Sequence, residues 1–219
     1  MSEMKNGESL VNILGPLGKP THIENFGRTI CVCGGIGAAP MYPILQALKA
    51  AGNFVTVILG ARNKDLLILE NEMRELADEM IVCTDDGSYG RKALVTVPLA
   101  ELCEAADRPD MVFAIGPPIM MKFAAEVTRP FAIPTTVSLN TIMIDGTGMC
   151  GGCRVSVKGE TKFTCVDGPE FDGHQVDFTN LIARLSSYSA QEKESLQQHS
   201  CKAEAFAQKI ERTRQGAES

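Results

Sequence analysis

The sequence predicts an α/β fold: a five-stranded parallel sheet, doubly wound by helices, followed by a small C-terminal hairpin subdomain. Three observations predict it. Short β-rich runs alternate with segments of helical period across the first two thirds of the chain. Glycine turns stand where strands should end, at Gly34 and Gly116. After Leu139 the alternation gives way to a stretch rich in Gly and Cys.

The elements follow in order. Residues 28–33 (RTICVC) form a β-rich run closed by Gly34. Residues 38–51 place Met41, Ile44, Leu45 and Leu48 three and four apart, a helical stripe. Pro40 fits the first turn of that helix, where a missing N–H costs little. Residues 54–59 read as a buried strand and 66–77 as a charged surface helix. Residues 80–84 are a short strand closed by Asp85-Asp86-Gly87. Residues 93–105 read as helix, against the opposing tendency of Val95, Thr96, Val97 and Pro98. A strand at 111–115, a helix at 118–127 and a strand at 135–139 complete the run. Such an order implies parallel strands joined by right-handed crossovers. Sheets of this kind bind ligands beyond the carboxyl ends of their strands. Residues 154–158 and 161–165 flank Gly159-Glu160 and read as a hairpin. The expected division is a lead-in at 1–27, the sheet domain at 28–139, the hairpin subdomain at 140–177 and a polar helical tail at 178–219.

Composition narrows the function. The chain has 219 residues, 44% hydrophobic and 22% charged, the balance of an ordinary globular protein. A formal charge of −6 argues against a binder of nucleic-acid backbones. No apolar run reaches the roughly 18–20 residues that span a bilayer. The polar start, residues 1–10, lacks the basic and apolar regions of a signal peptide, so the cytoplasm is the expected compartment. Eight cysteines in such a chain point to metal or redox chemistry more than to disulfides.

Gly34-Gly35-Ile36-Gly37-Ala38-Ala39-Pro40 follows a strand and opens a helix. Glycines there let the backbone approach a pyrophosphate, and free N–H groups at a helix start favour anions. The third glycine of G-x-G-x-x-G is missing, so a ligand-free βα turn is the competing reading. Gly116-Pro117-Pro118-Ile119-Met120-Met121 makes a second such turn, and the two would share one cleft. Met120 begins at that turn, although a Met pair is more often core. Arg62, past the second strand, could meet a phosphate or ribose, and Asp86 lies at a third strand end.

The cysteines carry the sharpest signal. Asp145-x4-Cys150-x2-Cys153-x11-Cys165 matches plant-type [2Fe–2S] spacing with Asp in the first position. Thiolates are soft donors suited to iron–sulfur clusters. Gly146, Gly148, Gly151 and Gly152 allow the chain to wrap closely with its N–H groups inward. The competing reading is a structural Cys3His zinc site from Cys150, Cys153, Cys165 and His174, within a non-enzymatic nucleotide- or protein-binding module. A third is a docking subunit whose cysteine loop is structural only. Cys31 and Cys33 alternate on a strand and should share one face. Cys83, Cys103 and Cys201 are single, and His22, His174 and His199 are isolated, so no catalytic residue is nominated.

Taken together, GGIGAAP, GARNKDLLILENEM, TDDGSYG, AIGPPIMM and DGTGMCGGC resemble the ferredoxin–NADP reductase superfamily, from Leu10 onward. Within it the chain is similar to electron-transfer subunits of dihydroorotate dehydrogenase. It is more similar to the alpha subunits of NADH-dependent ferredoxin:NADP oxidoreductase, also called sulfide dehydrogenase, because Asp145 stands where the dihydroorotate branch usually has Cys. The resemblance implies a ferredoxin reductase-like fold, NAD(H) or NADP(H) on the two glycine turns, FAD, and a [2Fe–2S] cluster on Asp145, Cys150, Cys153 and Cys165. It also implies a large iron–sulfur flavoprotein subunit as partner, with ferredoxin as a further one. Two departures stand out. Ile115 occupies the place where many relatives have a Cys near the nicotinamide. Relatives also begin with a flavin-binding barrel of roughly 90–100 residues. Only 1–27 precedes the sheet domain here, and Ile13 to Gly18 looks like that barrel's exit. The expectation is that this chain alone does not enclose FAD and lacks turnover with NAD(P)H.

Overall fold

The computed structural model describes residues 7–10 and 12–197. His199 and Cys201 lie outside the described residues. The described residues up to Phe178 form one compact unit, and a second begins at Thr179.

All five expected strands are present: β1 (Arg28–Gly34), β2 (Phe54–Ala61), β3 (Glu79–Thr84), β5 (Met111–Ile115) and β6 (Thr135–Ser138). Two edge strands join them, β4 (Arg91–Lys92) and β9 (Glu170–Asp172), so the sheet has seven strands rather than five. Its order is β4-β3-β2-β1-β5-β6-β9. Every pairing is parallel except β6 with β9. Neither added strand was legible, because two or three residues carry no periodicity.

The crossovers are α1 (Ala38–Ala50), α2 (Glu70–Leu76), α3 (Thr96–Glu104) and α4 (Pro118–Thr128). α2 is shorter than the expected 66–77, since Lys64–Leu66 forms a single 3-10 turn before it. α3 starts at Thr96, which leaves Pro98 near its N-terminal end, where proline is tolerated. β1 is central and buried along nearly its whole length. Cys31 and Cys33 do share a face, packed in one core with Met41, Leu45, Leu48 and Met73. Asn53, buried at the start of β2, ties the lead-in down: its Oδ1 accepts the Phe26 N–H at 2.8 Å, and its Nδ2 donates to the Glu24 and Leu48 carbonyls.

The hairpin consists of β7 (Arg154–Val157) and β8 (Glu160–Phe163), one residue earlier on the second strand than expected. The turn is Lys158-Gly159, not Gly159-Glu160. Both residues have positive φ, 55° and 78°, as a two-residue hairpin turn matching strand twist requires. Residues 164 and 165 therefore leave the ladder and begin a helical turn, α5 (Thr164–Asp167). The cysteine-rich segment is then fastened to the main sheet. β9 pairs with β6, and the chain returns to β7 through Lys158 N–H to Gln175 O at 2.8 Å and Asp177 N–H to Ser156 O at 2.9 Å. Helix α6 (Phe178–Leu185), in the second unit from Thr179 on, leads to helical residues 189–197, of which 191–197 are exposed.

Candidate functional site

The strand order reverses between β1 and β5: α1 leads from β1 to β2 on one side, and α4 from β5 to β6 on the other. Such a reversal opens a crevice at the carboxyl ends of the two strands. Both glycine turns stand there, since Cys33 pairs with Ile115 immediately before them. They touch. A Cβ built on Gly116 would lie 3.2 Å from the Gly34 nitrogen and 2.9 Å from the Met120 sulfur. A Cβ on Gly34 would lie 2.7 Å from the same sulfur and 3.2 Å from Pro117 Cδ. Met120 thus fills the notch between the turns. Gly37 presses the start of α1 against the Ile115 carbonyl, with no space for a Cβ. Gly35 differs: its φ is 54° and nothing lies within 4 Å of where a Cβ would be. The space on its side-chain side is open, which leaves room for a phosphate to approach the backbone closely. Ala38 begins α1 directly behind a 3-10 turn, Gly35–Gly37, and its N–H donates to the Gly35 and Ile36 carbonyls, so an anion at this helix start would meet the N–H groups of that turn rather than that of Ala38.

Arg62 and Asp86 stand one and two strands outward, past β2 and β3. Their loops are joined: Asp86 N–H donates to the Arg62 carbonyl at 3.2 Å, and Lys64 N–H to Ser88 Oγ at 2.9 Å. The Arg62 side chain is exposed. The Ser88 hydroxyl and N–H hold the Asp86 carboxyl below the usual carboxylate range. The structure therefore brings Gly34, Gly37, Gly116, Pro117 and Met120 into one cluster and leaves Arg62 and Asp86 on a flank. Sequence reasoning missed the rim. Ile36 is 81% exposed and Ile119 49%, one apolar side chain on each turn. The signal was an isoleucine inside each glycine or proline motif.

The cysteine loop is built around Asp145. Its Oδ1 accepts the Thr147 N–H and its Oδ2 the Cys150 N–H, both at 2.7 Å. The Cys153 and Cys165 sulfurs lie 3.2 Å apart, both buried. Burial and the Cys153 sulfur push the Cys165 thiol up, while the Gly148 N–H acts the other way. Cys150 is exposed, and its sulfur accepts the Gly152 N–H at 3.4 Å. Positive φ at Gly146, Gly148 and Gly151 gives the loop its wrapped course. Two sulfurs this close suit donors to one iron, and an oxygen donor hydrogen-bonded to the third thiol's residue suits the other side of an iron pair. Apolar side chains surround the loop: Met149, Ile144 and Met143 are exposed.

The Cys3His zinc set is not assembled. His174 Nε2 lies 2.9 Å from Thr128 Oγ1, at the end of α4. Among the described residues no three His, Cys, Asp or Glu side chains converge on one point as a single metal ion needs. A two-iron cluster divides its four donors between two irons and does not need such convergence. Cys31, Cys33, Cys83 and Cys103 are buried and free, remote in sequence from the loop.

Comparison with known proteins gives the family. Residues 140–177 match the iron–sulfur cluster binding domain of dihydroorotate dehydrogenase B, and residues 31–126 an oxidoreductase NAD-binding domain. A dihydroorotate dehydrogenase B electron transfer subunit homologue from Thermotoga maritima is 51% identical over 193 residues, 88% of this chain and 68% of that protein. The chain belongs to this electron-transfer subunit family. A probable subunit of the same name from Methanocaldococcus jannaschii is 36% identical over 81% of this chain and 67% of its own length. A chain from the solved structure of an NADH-dependent reduced ferredoxin–NADP oxidoreductase, studied for flavin-based electron bifurcation, superposes with a TM-score of 0.81. It is 49% identical and matches 90% of this chain and 71% of its own. The electron-transfer subunit described here thus joins an NAD-binding oxidoreductase domain to an iron–sulfur cluster binding domain on a ferredoxin reductase-like fold. Family membership implies a partner catalytic subunit. Among the described residues no helix is long and apolar enough to cross a membrane.

Proposed function

We propose that this subunit passes electrons between NAD(H) or NADP(H), FAD and a [2Fe–2S] cluster, and exchanges them with a large iron–sulfur flavoprotein subunit in the cytoplasm. Ferredoxin is the further partner in this reading. The 49% identity to a chain of a ferredoxin–NADP oxidoreductase supports that partner class. When bound, the dinucleotide supplies a hydride, the flavin interconverts electron pairs and single electrons, and the cluster carries single electrons.

The chain's own residues position these groups. Gly34, Gly35, Gly37 and the N-terminal turn from Ala38 receive the pyrophosphate, while Gly116, Pro117 and Met120 form the facing wall. Arg62 and Asp86 serve the adenosine side, by a cation for phosphate and a carboxylate for ribose hydroxyls. Asp145, Cys150, Cys153 and Cys165 hold the iron pair. Residues 28–139 act as the dinucleotide domain and 140–177 as the cluster domain, with 1–27 on the flavin side and 178–219 as a helical tail.

One observation carries the reading: the Cys153 sulfur, at the end of the glycine-rich loop that Asp145 closes, lies 3.2 Å from the Cys165 sulfur on α5, both cysteines buried. The test is metal and sulfide quantification on anaerobically purified protein, with electron paramagnetic resonance after dithionite. Two irons, two acid-labile sulfides and a reducible signal per chain are expected. One zinc with no visible absorbance would overturn the proposal.

A further inference from the structure

We propose that Cys153 and Cys165 form a reversible disulfide when the loop holds no iron, and that this pairing excludes one within Cys150-Gly151-Gly152-Cys153. Sequence spacing alone nominates the C-x-x-C pair as the redox couple. The fold chooses otherwise. The Cys153 and Cys165 sulfurs are 3.2 Å apart, and a disulfide needs about 2.05 Å, a difference that side-chain rotation supplies. The backbone is already held for it. Arg154 pairs with Phe163 as the last rung of the hairpin, and Thr164 donates both its N–H (3.2 Å) and its hydroxyl (3.0 Å) to the Cys153 carbonyl. The two cysteines therefore stay side by side whether or not metal is bound. Cys150 is exposed, with its sulfur turned to the Gly152 N–H.

The oxidant is a low-molecular-weight disulfide, R′S–SR′. The sulfur of Cys165, a residue 6% exposed against 2% for Cys153, attacks one R′ sulfur. The R′S–SR′ bond breaks, one R′S⁻ leaves and a mixed disulfide forms on Cys165. The Cys153 sulfur then attacks the Cys165 sulfur, and the second R′S⁻ leaves. The two cysteines lose two electrons and two protons, which end on two R′SH. A dithiol reductant reverses each step. The consequence for loading rests on the proposed function: the bond takes two of the four donors away from iron, so the oxidised chain is closed to cluster assembly while Cys150 stays outside the bond.

The experiment uses the full chain, freed of iron by chelation under reductant and desalted anaerobically. It is treated with oxidised glutathione, alkylated, digested and mapped by mass spectrometry. A Cys153–Cys165 linked peptide is expected with Cys150 outside the link, alkylated or carrying a glutathione, and Cys150→Ser should leave that link intact. The oxidised chain should take up no two-iron chromophore from ferrous iron and sulfide until dithiothreitol is added. A Cys150–Cys153 link, glutathione adducts without a link, or three free thiols would overturn the proposal. If the link forms but the reduced chain takes up no two-iron chromophore, the disulfide stands and the cluster reading fails.

Discussion

The Met120 sulfur lies over Gly34, 2.7 Å from where a Cβ on that glycine would be. Gly34→Ala must therefore push a flexible thioether out of the notch that the two glycine turns share. The end of a Met side chain yields easily, so the fold survives and the wall of the cleft changes. We expect dinucleotide affinity to fall about tenfold, roughly 1.4 kcal/mol, with little change in melting temperature. Titration calorimetry on Gly34→Ala and on Gly34→Ala/Met120→Ala checks it. The double variant should recover part of the loss, and equal affinity in all three proteins would exclude Met120 from the cleft.

Gly37→Ala should behave differently. Its Cβ would meet the Ile115 carbonyl, and backbone does not give way as a thioether does. The loss should appear in stability, about 1–3 kcal/mol, as for other overpacked sites. Urea denaturation of the two alanine variants side by side measures the contrast.

The loop hydrogen bonds give a third expectation. Asp145 accepts from Thr147 and Cys150, and the Thr147 N–H is the largest cause that holds its carboxyl below the usual range. The folded pKa is depressed, so the contribution to loop order is present above the ordinary Asp value and is lost as pH falls through the folded one. Amide exchange at Thr147 and Cys150 should quicken in Asp145→Ala, measured on the iron-free chain. Asp145→Asn should keep protection at Thr147, because one carbonyl oxygen remains. Unchanged exchange in the Ala variant would remove Asp145 from the loop's framework.

Glu170, on β9, titrates in the opposite sense. Burial pushes its carboxyl above the usual range, and the Thr21 hydroxyl at 2.8 Å offsets only part of this. A raised folded pKa means the folded state takes up the proton more readily, so stability increases as pH falls through that pKa toward the ordinary value. Glu170→Gln should melt higher than the parent at pH 7, and the gap should close by about pH 4, below the ordinary carboxyl pKa. Melting curves across that window decide the matter.

Thiol reactivity should divide the cysteines by burial. Burial pushes Cys33 up to about 12 and Cys103 to about 11, and Cys31 rises further still, with the neighbouring Cys33 as a second cause. Only a thiolate alkylates readily. Among the described cysteines of the iron-free chain, iodoacetamide at pH 8 should label Cys150 first and leave Cys31 and Cys33 untouched until the protein unfolds. Early labelling of either strand cysteine would contradict a closed core.

Much of the fold was legible because its signals are local. Strands β1, β2, β3 and β5 each carry a short apolar run ended by a glycine or aspartate, and β6 opens directly after Pro134. Helix α1 shows its stripe at Met41, Ile44, Leu45 and Leu48. The hairpin turn was misplaced by one residue, because Lys158 in a left-handed conformation has no sequence signature as strong as Asn or Gly. Strand β9 was missed because Glu170, Phe171 and Asp172 become a strand only through pairing with Ser138, Val137 and Thr136, more than thirty residues away.

By itself the sequence determined the parallel α/β order, the two glycine turns and the Asp145, Cys150, Cys153 and Cys165 spacing, since each is written in the order and spacing of residue types along the chain. Only the tertiary structure decided which of these meet. It put Met120 against both Gly34 and Gly116, set the Cys165 sulfur beside Cys153 and directed His174 to Thr128 instead of the cysteine loop. Apart from Met120 on Gly116, those contacts join residues twelve or more positions apart along the chain. They depend on how the sheet and its crossovers pack, which local patterns do not encode.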